Sequence, residues 1–247
     1  MTAPRSPVVD TETAQEFMRE ALAQVTAEEL DAIAGECEDK HRRVKTLLGS
    51  AAAGPPDEAA LRRLLRSVFA TRRRVGEVLP PGGAGALGAR VHALVHGPGP
   101  APERLEAFVE GLAPLSPTLG FDLGSECLHY TEPARHWLWT RWVWDPATRT
   151  GALPLVTLEE YDLDGGSVAG TYLRVGEATA FVQRTGEAAG FTRIGAGGFA
   201  VDVYLASVYA VYVFTTVRMR MTQEFNRVIP PLPELARRLL GVWRMDA

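Results

Sequence analysis

Apolar residues recur at every third or fourth position through the first third of the chain, the spacing of helices with one buried face. This pattern predicts helices over 11–24 and 27–48. On the second, Leu30, Ile33, Ala34, Cys37, Val44, Leu47 and Leu48 form a stripe on which His41 also falls. Thr26, followed three residues on by Glu29, has the spacing of a capping box, in which each residue satisfies the other's backbone N–H. A Gly/Pro break at 49–56 precedes a third predicted helix, which starts at Asp57, carries Leu61, Leu64, Leu65, Val68, Phe69 and Val75 on one face, and stops at Pro80-Pro81-Gly82-Gly83. Shorter helices are expected at 86–96 and 103–112.

The pattern changes in the second half. Residues 136–144 hold four of the five tryptophans, a density that marks a core segment or a contact surface. Turn sequences at 145–151 and 162–166 flank it, and short strands are expected near 136–156 and 191–194. A helix is predicted over 168–188, ended by Gly190. The stretch 200–217 is the most apolar and, at 18 residues, reaches the lower limit of a membrane span. Its tyrosines Tyr204, Tyr209 and Tyr212 lie inside the run, not at its ends, so a long buried central helix is the expectation. The fold class is therefore mainly α: an irregular helical domain in which an N-terminal segment, 1–112, packs on a tryptophan-rich C-terminal core, 113–247, as one compact unit.

Composition adds little to fold and more to compartment. The chain has 247 residues, 46% of them hydrophobic and 23% charged, with a net charge of −4. These values exclude disordered and fibrous classes. Two cysteines cannot build a disulfide framework, and Met1–Pro7 lacks the apolar core of a signal peptide, so a cytoplasmic location is expected. Charge is strongly segregated: residues 1–39 carry net −8 and residues 40–74 net +8. Arg62, Arg63, Arg66, Arg72, Arg73 and Arg74 form a basic stripe opposite the apolar face of the third helix. The acidic first helix is one partner for it and a phosphate-rich ligand another. No aromatic residues interleave with these arginines, which sets nucleic acid behind protein as a partner.

Two Glu-x-x-His motifs, Glu38 with His41 and Glu126 with His129, carry the most specific chemistry. Residues three apart on a helix share a face, so each pair could present a carboxylate and an imidazole to one metal ion, as in di-metal carboxylate bundles. Glu177 and Glu224 are the further carboxylates such a site needs. Cys37 and Cys127 beside the same motifs offer a zinc alternative with His41 and His129. His92 and His96 form an i, i+4 pair without the glutamate of a zinc protease. Gly195, Gly197 and Gly198 match G-x-G-x-x-A ahead of the apolar helix and could bring backbone N–H groups to a phosphate. The stretch from Gly176 to Phe199 resembles the helix–glycine–loop segment of nitroreductase-type flavoproteins, which implies a flavin there. The arginine-serine-arginine motif of that family is missing.

No G-x-S-x-G nucleophile elbow occurs, and no complete catalytic constellation is visible. The expected function is accordingly a non-catalytic, helix-rich protein that acts by binding another protein or itself, through Trp137, Trp139, Trp142 and Trp144 or through Arg62, Arg66 and Arg73. A metal-dependent helical enzyme and a flavin or nucleotide binder are the alternatives.

Overall fold

The computed structural model describes residues 8–113, 115–189, 198–220 and 230–243, with side chains to 186 in the second stretch and to 216 in the third. Among these residues the chain forms ten helices: α1 (Thr11–Leu22), α2 (Ala27–Leu48), α3 (Glu58–Ser67), α4 (Val75–Val78), α5 (Ala84–His96), α6 (Ala101–Gly111), α7 (Pro117–Thr131), α8 (Val168–Ala189), α9 (Ala200–Arg220) and α10 (Leu232–Leu240). The capping box forms: Glu29 N–H donates to Thr26 Oγ1 at 3.2 Å and Thr26 N–H to Glu29 Oε2 at 3.3 Å. Asp10, Asp57 and Ser116 cap α1, α3 and α7 in the same manner, each accepting from a backbone N–H three residues on.

The most enclosed element is α7. Every residue from Leu119 to Thr131 is buried, although five of them are Asp122, Ser125, Glu126, His129 and Thr131. It packs against α2, α5 and α6. Gly120 and Gly124, one turn apart, let α6 approach closely. A Cβ on Gly124 would lie 2.5 Å from Leu105 Cδ1 and 2.9 Å from Phe108 Cδ1. The apolar run at 200–217 falls within α9, where, among the described side chains, Val201 to Val208, Ala210 and Val211 are buried. Among the described residues no helix is long and apolar enough to cross a membrane. One hydrophobic cluster runs through the N-terminal and C-terminal helices alike.

Three further differences from expectation have clear local causes. The third helix stops at Ser67, because Val68 turns into the extended region with ψ 124°, and Thr71 Oγ1 donates to the Leu65 carbonyl at 2.6 Å. Phe69 thereby leaves the apolar face and is exposed. The strands expected at 136–156 reduce, among the described residues, to an isolated bridge between Asp145 and Thr150. The backbone of this segment is held instead by side chains of α7: Trp139 N–H donates to Ser125 Oγ and Arg141 N–H to Asp122 Oδ1. The acidic helix α1 does not pair with the basic stripe either. It packs on α8 and α9, where Tyr204 Oη donates to the Ala14 carbonyl at 3.0 Å.

Trp139, Trp142 and Trp144 are buried and Trp137 is half-buried. Trp139 stacks on Phe121 with ring centres 4.2 Å apart and donates from Nε1 to the Trp144 carbonyl at 3.0 Å. Trp142 Nε1 donates to the Leu239 carbonyl at 3.1 Å. These three rings are buried in the core, and Trp142 also borders a cleft.

Candidate functional site

The helices α2, α7 and α9 bring together a buried ionic core. Lys40 is 1% exposed and forms an ion pair with Glu126, itself 3% exposed, across 86 residues of sequence. The Lys40 ammonium also donates to the Leu240 carbonyl at 2.7 Å and lies 4.1 Å from the centre of the Tyr130 ring. Gly241 makes room for it: its φ of 70° and close approach to Lys40 Nζ leave no space for a Cβ. One turn further along α7, His129 lies between two acceptors, the His136 carbonyl at 2.7 Å from Nδ1 and Asp202 Oδ2 at 3.1 Å from Nε2. Both nitrogens can donate only in the imidazolium form. Burial of the ring opposes that charge, yet Asp202, the His136 carbonyl and Glu126 together raise its pKa above the ordinary 6.5. Phe199 closes this core, stacking on Tyr130 and meeting His129 edge-on.

This arrangement replaces the metal sites expected from the motifs. The two helices do pack together, but the side chain that α2 sends to Glu126 is Lys40, not Glu38. Glu38 is half-buried, and His41 bonds the Tyr130 carbonyl at 2.8 Å through Nδ1. His129 has both nitrogens engaged. Among the described residues no three His, Cys, Asp or Glu side chains gather as metal ligands. Burial pushes the Cys37 and Cys127 thiols far up, which removes thiolate chemistry from both. Glu177 lies elsewhere, accepting from Tyr161 Oη at 3.0 Å. His92 and His96 have ring centres 5.0 Å apart on α5, with no third ligand among the described residues. Gly195, Gly197, Glu224 and the strand expected at 191–194 fall outside the described residues. Gly198 is an exposed turn residue before α9.

Two clefts flank the ionic core. The first, of about 590 Å³, is lined by Lys40, Arg42, Arg43, Val44, Thr46 and Leu47 of α2, by Arg63, Arg66 and Ser67 of α3, and by Gly241 and Trp243. Five of these carry positive charge, and the described lining contains no carboxylate. Of the expected interaction residues, Arg66 lines this cleft. Arg62 is paired with Glu58 at 2.7 Å, and Arg73 lies exposed in the turn after α3. The second cleft, of about 400 Å³, is lined by Phe69, Ala70, Asp122, Glu126, Thr140, Arg141, Trp142, Asp145, Thr150, Tyr209 and Leu239. Lys40 thus lines one cleft and Glu126 the other.

Lys40 was within reach of the sequence pattern. It follows Cys37 by three residues and precedes Val44 by four, which places a cation on the apolar stripe of α2. The role of Asp202 had no such signal, because its partner His129 is 73 residues away. Comparison with protein-family models, with curated proteins and with solved structures finds no match.

Proposed function

We propose that this protein is a binding protein whose basic cleft between α2 and α3 receives an acidic segment of a partner protein. The observation that carries the reading is a cleft lined by cations from two helices with no carboxylate in its described lining: Lys40 is held by Glu126 and Arg42 by Asp39, while Arg63 and Arg66 of α3 face the cleft exposed. Unlike ordinary surface charge, these cations converge on one concavity from two helices. Arg63 illustrates the surplus: it turns back to the Ala59 carbonyl of its own helix at 3.3 Å. Arginine is suited to carboxylates because its planar fork donates two parallel hydrogen bonds. Protein is favoured over nucleic acid because the whole chain is net negative and the cations occupy a bounded cleft, not an extended track. A cytoplasmic location belongs to the same proposal, supported by the two unpaired, buried cysteines.

The test is fluorescence anisotropy with a labelled glutamate-rich peptide against the full chain and the Arg63→Glu/Arg66→Glu double variant. Both arginines are exposed, so circular dichroism should show the variant folded. The expected result is saturable binding that weakens at least about tenfold in the variant and with added salt. No binding, or equal binding by the variant, overturns the proposal. Tighter binding of an oligonucleotide of equal charge would move the partner class to nucleic acid.

A further inference from the structure

We propose that the second cleft is a binding site for a small primary amine. This inference is independent of the acidic partner at the first cleft, since it rests on different residues. Three carboxylates line the second cleft, Asp122, Glu126 and Asp145, against one guanidinium, Arg141. Two of the three already have a cation from the chain itself. Glu126 holds Lys40, and Asp122 accepts from Arg141 Nε at 2.8 Å and from Arg141 N–H at 2.8 Å. Asp145 instead accepts the Ala147 backbone N–H at 3.0 Å, which leaves its charge without a cation in the cleft.

A second observation points to a ligand there. Thr140, only 4% exposed, lines the same cleft, and its buried Oγ1 has no hydrogen-bond partner. A buried hydroxyl without a partner is costly unless a bound molecule completes it. The remaining lining residues are Phe69, Ala70, Trp142, Thr150, Tyr209 and Leu239, mostly apolar or aromatic. Their rings attract a cation at the face, and their apolar area suits an alkyl chain.

The ligand class follows by elimination. An anion would meet three carboxylates. A chelated metal ion would need three converging donors, and no such group exists among the described residues. A neutral polyol would complete Thr140 but leave Asp145 uncompensated. A primary ammonium does both, donating to Thr140 Oγ1 and to the Asp145 carboxylate while its chain lies along Trp142. The volume of about 400 Å³ suits a compact molecule rather than a peptide.

The experiment is titration calorimetry of the full chain with 1,4-diaminobutane, with 1,4-butanediol as the neutral isostere. Wild type should bind the diamine saturably and the diol not at all. Asp145→Asn should weaken diamine binding about tenfold or more, since it removes the charge facing the ammonium, and Thr140→Val several-fold, since it removes the hydroxyl acceptor. Thr140→Ser, which keeps the hydroxyl, should bind as wild type, which separates a lost contact from a lost fold. Equal binding of diamine and diol overturns the proposal. So does unchanged affinity in Asp145→Asn, or no diamine binding at millimolar concentration.

Discussion

At the scale of single residues, the buried charges set how stability responds to pH. The pKa of His129 is raised in the folded chain, so its contribution is present in full below the ordinary 6.5 and is lost as pH rises through the folded value. For Asp122, burial is the largest influence, and it pushes the carboxyl up from 3.8 to about 7 despite Arg141. Between those values the folded chain holds a proton that the unfolded chain has released, so stability again falls as pH rises. Glu126 shifts in the same direction, with burial again first and Lys40 opposing it. The melting temperature should therefore decline from mildly acidic to alkaline pH. Asp202→Asn removes the main group that raises His129 and should flatten the decline above pH 6.5; an unchanged slope there would refute the charged assignment of His129. Lys40→Met leaves Glu126 buried without its cation and should cost about 3–5 kcal/mol in urea unfolding. That deficit should shrink as pH falls, because Glu126 then takes a proton. The double variant Lys40→Met/Glu126→Met should recover most of it, since an apolar pair carries no desolvation cost.

At the scale of elements, legibility followed whether the decisive partner was close in sequence. The start of α2 could be read because Thr26 and Glu29 are three residues apart, and its buried face because the stripe repeats locally. The stop of α3 could not: Val68 is apolar and helix-compatible, and the turn is set by the bond from Thr71 back to Leu65. The central role of α7 was hidden by its polar residues, whose partners Arg141, Lys40 and Asp202 lie 19, 86 and 73 residues away. The same distances explain why the Glu-x-x-His motifs were found while their actual partners were not. Close packing of α6 on α7 gives a paired prediction. Gly124→Ala forces its Cβ against Leu105 and Phe108 and should destabilise by about 1–3 kcal/mol. Gly35→Ala, in the interior of α2 with open space around the new Cβ, should instead stabilise by roughly 0.5–1 kcal/mol. Thermal or urea unfolding of the two variants reads the contrast directly.

At the scale of the whole molecule, folding neutralises part of the charge segregation, pairing Lys40 with Glu126, Arg42 with Asp39 and Glu36 with Arg237, and leaves part of it on two separate faces. Helix α1 buries Ala14, Met18 and Ala21 against the body and leaves Glu12, Glu16 and Glu20 exposed, one turn apart along its outer face. Five of the ten cations of 40–74 line the α2/α3 cleft. A second copy of the chain therefore carries an acidic helix complementary to the cleft, and it should be the first competitor for any acidic partner. Two copies joined in this head-to-tail manner leave one cleft and one acidic face unused, so association would not close at a dimer unless the geometry makes a ring. The interaction joins exposed charges, so screening controls it. The screening length falls from about 30 Å at 0.01 M ionic strength to about 3 Å at 1 M. Sedimentation equilibrium should give an average mass above 26.8 kDa at the lower ionic strength and return to that value at the higher. The Arg63→Glu/Arg66→Glu variant should stay at monomer mass in both. A wild-type chain that is monomeric at both ionic strengths would show that the α1 face and the cleft do not meet, and would leave the cleft to a partner with a different shape of acidic surface.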